Sequence, residues 1–133
     1  MLDVAMNTAS RPITLKQVAQ RQGISEKYLW QVIAPLKSNG LITAQLGARG
    51  GYRVARPPSR ITLKDILDLL GGTPVLESTA GSAEREGGGA SVTREIWGLV
   101  SHKLVEVVDS ITLQDMVKRY TARKSSADSD YAI

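Results

Sequence analysis

The chain has 133 residues, enough for one domain or a small module with an added oligomerisation helix, but not for two large cores. It has no Cys and one His, which excludes a disulfide framework, a cysteine nucleophile and a cysteine-rich or histidine-rich metal site within one chain. The net charge of +4 is uneven: residues 11–60 hold nine basic residues and one acid, residues 71–133 seven basic and nine acidic.

That asymmetry is typical of a nucleic-acid-binding part followed by a part that contacts protein, although a solvated basic face gives the same count. The segment Met1 to Asn7 lacks the basic region and long apolar run of a signal peptide. No window reaches eighteen apolar residues without a charge, so we expect a cytoplasmic protein that makes no membrane contact.

Three segments share one helix-start pattern, an Ile-Thr-Leu run with Gln or Asp three residues after the Thr. In each, the Thr can accept a hydrogen bond from the amide three residues on, and the Gln or Asp side chain can reach back to the Thr amide. The residues between the segments do not match, so the pattern is a repeated start signal and not an internal repeat. The three capping pairs are Thr14 with Gln17, Thr62 with Asp65, and Thr112 with Asp115.

The first signal predicts a helix from about Leu15 to Gln22 that Gly23 ends. Ser25 then caps a second helix, from about Glu26 to Ser38. Helical spacing gives this second helix a buried face of Leu29, Val32, Ile33 and Leu36, and an outward face of Lys27, Trp30, Gln31, Ala34 and Lys37. Pro35 should bend its last turn, because proline lacks a backbone donor.

Two extended runs follow, Leu41 to Leu46 and Tyr52 to Ala55, which predict a hairpin around the glycine-rich turn 47–51. After Pro57-Pro58 we expect a helix from about Leu63 to Leu70. The small and charged residues from Ser78 to Ala90 bury too little apolar area to order themselves, so we expect a mobile loop there.

The longest helical pattern runs from about Val92 to Ser110, roughly 28 Å at 1.5 Å per residue. Its apolar stripe is wider than one small module can cover, which predicts a second copy of the chain against it. We expect a winged helix-turn-helix at 1–59, a linker helix at 60–77, an effector loop at 78–90, a dimerisation helix and short C-terminal helix at 91–120, and a disordered tail at 121–133.

The fold class is therefore mainly α with a small β-hairpin, arranged as a winged helix-turn-helix plus a long dimerisation helix. B-form DNA admits one α-helix into its major groove, and the amide of Gln31 can pair bidentately with adenine. Arg49 at the hairpin tip is placed to enter the minor groove. The candidate DNA-binding residues are Lys27, Tyr28, Trp30, Gln31, Lys37, Arg49, Gly50 and Arg53, and we expect Arg53 and Arg56 to contact phosphate.

These assignments have alternatives: Gln31 as a solvated surface amide, Arg53 and Arg56 as plain surface charges, and Tyr28 as packing between helix and wing. Trp30 either stacks on a sugar or a thymine methyl group, or folds back against the hairpin as ordinary packing. The turn 47–51 lacks the Gly-Lys-Ser/Thr ending of a phosphate-binding loop and joins strand to strand, which argues against nucleotide binding. Ser101 and His102 point about 100° apart on a helix, so they form no nucleophile–base pair and we expect no enzyme activity.

Several of these motifs together resemble the Rrf-two family of bacterial transcription regulators, which includes iron-sulfur cluster and nitric oxide sensors. The resemblance covers nearly the whole chain and implies a homodimer on a palindromic operator, with the long helices at 91–111 crossing at the two-fold axis. The motifs are Ile24-Ser25-Glu26-Lys27-Tyr28-Leu29, Gly47-Ala48-Arg49-Gly50-Gly51-Tyr52, Ala55-Arg56-Pro57-Pro58 and Asp109-Ser110-Ile111-Thr112-Leu113.

The chain departs from the family pattern at three places. It opens inside the family's first helix, which implies a truncated chain or a late start. Trp30 stands where many relatives carry Glu, and Leu46 where they carry Arg, so their operator preference does not transfer. Cluster-binding relatives place three cysteines in the effector loop, and Ser78 and Ser91 stand at the first and last of these places.

A serine hydroxyl stays protonated at neutral pH, whereas an iron-sulfur cluster needs thiolate, so we expect no cofactor on this chain. Either the chain senses something else, through a protein or small-molecule effector, or it is an engineered cluster-free form of an iron-sulfur sensor. The leading hypothesis is a homodimeric regulator, a repressor, that binds double-stranded DNA. The alternative is a winged-helix module that grips a protein with Trp30 and the hairpin.

Overall fold

The computed structural model describes residues 1–7, 11–71 and 88–131. These residues are mainly helical and include one two-stranded antiparallel sheet, which confirms the predicted fold class. The chain divides into two compact units, the first formed by Met1–Ile61 with Thr112–Ile133 and the second by Thr62–Ile111. In chain order the elements are α1 (Leu2–Asn7), α2 (Leu15–Gln22), α3 (Glu26–Ser38), β1 (Ile42–Gln45), β2 (Gly51–Val54), a 3-10 turn (Pro58–Arg60), α4 (Leu63–Leu69), α5 (Gly88–Ser110) and α6 (Leu113–Asp130).

The first unit has an aliphatic core. Helices α2 and α3 are joined by Gly23 in the left-handed conformation, φ 64°, which ends α2 and turns the chain into α3. Val18 and Ala19 from α2 are buried together with one face of α3. The largest fully enclosed side chains among the described residues are aliphatic: Leu36, Leu41, Ile42, Ile61 and Leu113.

The hairpin is held to the helices by a third stretch of extended chain. β1 and β2 pair antiparallel, with Ile42 opposite Val54 and Gln45 opposite Gly51. Ile13, just before α2, exchanges two backbone hydrogen bonds with Tyr52: the Tyr52 amide donates at 2.7 Å and the Ile13 amide at 3.1 Å. This bridge fixes the base of the hairpin beside the start of α2.

The predicted capping boxes are present at all three helix starts. The Thr14, Thr62 and Thr112 hydroxyls accept from the amides of Gln17, Asp65 and Asp115 at 3.1–3.2 Å, and those three side chains accept from the Thr amides at 2.9–3.0 Å. Each box satisfies two amides that the first turn of a helix would otherwise leave without partners.

In the second unit, α4 packs on α5, and the Leu63 amide donates to the Ile111 carbonyl at 2.8 Å. α5 begins at Gly88, four residues before the predicted start. The predicted effector loop thus falls partly outside the described residues, at 78–87, while residues 88–90 are helical. Several large apolar side chains of α5 remain more than half exposed, namely Val92, Ile96, Trp97, Leu99 and Val107.

The C-terminal segment differs from the sequence-based expectation. α6 continues to Asp130, where a disordered tail from Thr121 was predicted, and it groups with the first unit and not with α5. Its side chains from Lys118 onward are exposed, so burial does not account for its length. The helix is explained instead by the cap at Thr112 and by a stretch of residues that contains no Gly or Pro. None of the helices in the described part of the chain is long and apolar enough to span a membrane.

Candidate nucleic-acid interface

Helix α3 is amphipathic and presents a polar face outward. Ser25 begins it by accepting a hydrogen bond from the Tyr28 amide at 3.1 Å. Leu29, Ile33 and Leu36 anchor its inner face, with 9%, 7% and 2% of their surfaces exposed, and Val32 is half-buried. This division of α3 into a buried and an exposed face confirms the predicted amphipathic pattern. Five of the candidate residues are exposed along the helix: Lys27, Tyr28, Trp30, Gln31 and Lys37.

Pro35 lies inside α3 without ending it. Its carbonyl accepts from the Asn39 amide at 3.2 Å, from the Asn39 side-chain amide at 2.9 Å and from the Ser38 hydroxyl at 3.1 Å. The last turn of the helix is therefore closed by side chains as well as by backbone. The outward face of α3 keeps helical geometry as far as Lys37.

The hairpin turn depends on a glycine at position 50. The Gly50 amide donates to the Gly47 carbonyl at 3.0 Å, and a Cβ at Gly50 would lie 2.3 Å from the Gln45 carbonyl oxygen. No side chain fits there without moving the backbone of the turn. Gly50 was predicted as a DNA-binding residue, and the structure gives it a second role in shaping the turn that carries the exposed Arg49.

The two arginines expected to contact phosphate have different surroundings. Arg53 is half-buried on β2. The Arg56 guanidinium donates to the carbonyls of Gly40 and Asn39, both at 3.2 Å, and so stabilises the chain leaving α3. These contacts use two of the five N–H donors of the guanidinium, so the expected contact of Arg56 with phosphate stays a prediction.

A groove of about 390 Å³ lies between α3 and the hairpin. Trp30 lines it together with the hairpin residues Leu46 and Tyr52, yet 57% of Trp30 is exposed. Trp30 therefore lies beside the hairpin but is not buried against it. Sequence reasoning did not identify Lys16 as part of this surface, because its proximity to the hairpin depends on the bridge between Ile13 and Tyr52.

Two serines were predicted to stand at the sensor positions. Ser78 lies outside the described residues, and Ser91 is exposed in the first turns of α5. Within the described ranges no three His, Asp or Glu side chains come together as a metal site would require. Across the whole sequence there is no thiolate to hold an iron-sulfur cluster, so the donor set does not fit one.

Comparison with known proteins agrees with the architecture. The family model for Rrf2, described as an iron-dependent transcriptional regulator, matches residues 1–119. The HTH-type transcriptional regulator IscR of Xenorhabdus nematophila is 31% identical over 118 residues, which cover 89% of this chain and 72% of that protein.

Two solved structures are similar along most of their length. T. potens IscR has a TM-score of 0.73 at 39% identity, covering 90% of this chain and 78% of that one. CymR, the global cysteine regulator of B. subtilis, has a TM-score of 0.76 at 35% identity, covering 89% and 87%. With the family model, these similarities establish that the chain belongs to the Rrf2 family of transcriptional regulators and is a winged-helix regulator, not an enzyme.

Proposed function

We propose that the chain is a homodimeric repressor that binds a palindromic operator, with α3 in the major groove and the hairpin in the adjacent minor groove. The observation that carries this proposal is the shared accessibility of the α3 outer face and the hairpin tip on one compact unit. Gln31 supplies an amide that can read a base, and Lys27 and Arg49 supply positive charge. These residues belong to α3 and the hairpin, the two elements proposed to enter the grooves of the duplex.

The distribution of charge supports DNA as the partner. Residues 11–60 carry a net charge of +8, and Glu26 is the one acid among them. Phosphate neutralisation provides much of the affinity of any DNA-binding protein, and a surface with this charge attracts a duplex before any base is read. A protein-binding winged helix needs no such excess.

The exposed apolar residues of α5 support self-association. Ile96, Trp97 and Leu99 are each more than half exposed within a single chain. Soluble proteins rarely leave a contiguous apolar patch of this kind uncovered. A second copy of α5 covers it, because a two-fold interface places identical apolar patches against each other. A dimer then carries two α3 helices, which suits an operator with two half-sites.

The effector in this proposal is a protein or a small molecule and not an iron-sulfur cluster. Serine at positions 78 and 91 offers neutral hydroxyls, and the chain has no cysteine to replace them. The chain acts in the cytoplasm, where a bacterial regulator meets DNA. A dimer bound to promoter DNA represses transcription because it excludes other proteins from that DNA.

The proposal is tested by selecting bound duplexes from a random pool with the full chain. A palindromic consensus with half-sites about one helical turn apart, roughly 34 Å, is the expected result. A non-palindromic consensus contradicts the dimeric arrangement. Failure to enrich any duplex at low salt contradicts DNA binding and favours the protein-interaction module, in which Trp30 and the hairpin contact a protein.

A further inference from the structure

The groove between α3 and the hairpin has a defined relation to a bound duplex. One sugar-phosphate strand separates the major groove from the neighbouring minor groove at every point along B-form DNA. A protein that places α3 in one groove and the hairpin in the other must straddle that strand. The residues between α3 and the hairpin therefore face a backbone and not base edges.

The residues that line the groove come from three elements. α3 contributes Glu26 and Trp30, the start of α2 contributes Lys16, and the hairpin contributes Leu46 and Tyr52. Leu46 is 94% exposed and Trp30 57% exposed, so both apolar side chains are available to a ligand. The faces of deoxyribose rings are apolar, and such side chains lose water favourably against them.

Lys16 is the cation among the residues that line the groove. Within the described residues, no ion pair or helix cap gives it a role in stabilising the fold. It is exposed, and none of the ion pairs within the described ranges includes it. The neighbouring cap of α2 uses Thr14 and Gln17 and does not need it. The charge of Lys16 is therefore available to a polyanion that enters the groove.

Glu26 lines the same groove with the opposite charge. It is exposed, and it too is absent from the ion pairs of the described residues. A carboxylate beside a DNA strand repels phosphate, so a strand in this groove would be attracted by Lys16 and repelled by Glu26. Removing one charge or the other should therefore change affinity in opposite directions.

We propose that this groove holds the sugar-phosphate strand between the two grooves of DNA, with Lys16 bound to a phosphate, Glu26 weakening that contact, and Trp30 and Leu46 against deoxyribose. The inference rests on the proposed DNA-binding function and deepens it by adding residues that set affinity without reading sequence. Lys16 and Glu26 position the protein on the strand, while Gln31 reads a base.

The test measures how log affinity depends on log salt for the duplex recovered by selection and for a shuffled duplex. Each phosphate contact contributes a slope of about 0.9 on B-form DNA, so Lys16→Ala should reduce the slope by about that amount. Its affinity should fall by a similar factor on both duplexes. Lys16→Arg should restore the wild-type slope, and Lys103→Ala on α5 should leave it unchanged.

Two further variants separate charge from apolar contact. Glu26→Gln should raise affinity for both duplexes, and Leu46→Ala should lower affinity at every salt concentration without changing the slope. A neutral methylphosphonate placed at successive backbone positions should weaken wild-type binding most at one phosphate. At that phosphate the methylphosphonate should not weaken DNA binding by Lys16→Ala any further, because this variant has already lost the contact.

The outcomes distinguish this inference from the function on which it rests. Wild-type binding to the selected duplex, together with a Lys16→Ala slope equal to that of wild type, overturns the groove assignment and leaves the proposed function intact. Wild-type chain that binds neither duplex at low salt overturns the proposed function. Because Lys16, Glu26 and Leu46 are exposed, unchanged melting temperatures should exclude misfolding as the cause.

Discussion

The winged-helix unit and helix α5 distribute their apolar residues in opposite ways. In the first unit Leu41, Ile61 and Leu113 are completely buried, and the outward face of α3 is largely polar. Along α5, Ile96 and Leu99 are 53% and 57% exposed, and among its described side chains the small residue Ser101 is the buried one. The comparison teaches that the first unit encloses an aliphatic core within a single chain, whereas α5 leaves several of its large apolar side chains exposed.

The largest effect is expected in the core of the first unit. Leu41→Ala removes a side chain with no exposed surface and should destabilise the protein by about 3 kcal/mol, within the usual range of about 2–5 kcal/mol for such cavities. Leu46→Ala makes the same chemical change at a side chain that is 94% exposed. It should change stability by less than about 0.5 kcal/mol. Urea denaturation of the two variants measures the contrast, and equal losses would contradict the assigned core.

The second prediction concerns the exposed apolar side chains of α5. Ile96→Glu places a charge within the proposed dimer contact and should weaken self-association by roughly 100-fold, about 3 kcal/mol, because the carboxylate must lose its water. Ser91→Glu adds the same charge on the same helix outside the exposed apolar set and should leave the dimer intact. Analytical ultracentrifugation distinguishes them, and a dimer unaffected by Ile96→Glu would place the interface elsewhere.

The third prediction concerns the requirement for glycine at position 50 of the hairpin turn. Gly50→Ala brings a Cβ against the Gln45 carbonyl, so the turn must move at a cost of about 2 kcal/mol. Ala48→Gly in the same turn removes an exposed methyl group and should cost a few tenths of a kcal/mol at most. Thermal melting gives the stabilities, and DNA affinity should fall for Gly50→Ala more than for Ala48→Gly. Tolerance of Gly50→Ala on both measures would contradict the steric role of Gly50.

The smallest effect concerns the cap of α6. Hydrogen bonds from the Thr112 amide and then the Thr112 hydroxyl lower the pKa of Asp115 below its ordinary value of 3.8. A lowered pKa in the folded state adds stability above the unfolded value, and this stability is lost as the pH falls through the folded value. Wild-type protein should therefore lose stability as the pH falls below the ordinary carboxyl value and through the lowered pKa of Asp115, beyond any loss in Asp115→Asn.

Asp128→Asn, near the other end of the same helix, provides the matched control. It removes a carboxylate that holds no helix cap, so its acid stability profile should follow that of wild type. Melting temperatures recorded across the acid range compare the three proteins. Identical profiles for Asp115→Asn and wild type would show that the cap does not contribute through ionisation.

Local signals predicted much of this fold. The capping boxes at Thr14, Thr62 and Thr112 each require residues only three positions apart, and all three are present. The two faces of α3 follow from helical spacing alone. These features are set by neighbours in the chain, and sequence reasoning is strongest there.

The missed features depend on contacts between distant residues. The bridge from Ile13 to Tyr52 joins positions far apart in sequence and brings Lys16 to the hairpin. The hydrogen bonds from the Arg56 guanidinium to the carbonyls of Asn39 and Gly40 were likewise not predicted, and its expected phosphate contact stays a prediction. The charge and expected exposure of a residue do not identify partners that are distant in sequence. The length of α6 was missed because a polar segment without Gly or Pro is compatible with both a helix and a tail.

The central claim is that paired copies of the chain present two winged helices to one duplex. Sedimentation of the full chain alone and then with the selected duplex tests it most directly. The account predicts a dimer before DNA is added and a complex of two chains per duplex afterwards. A stable monomer at micromolar concentration that joins the duplex one chain at a time would contradict it.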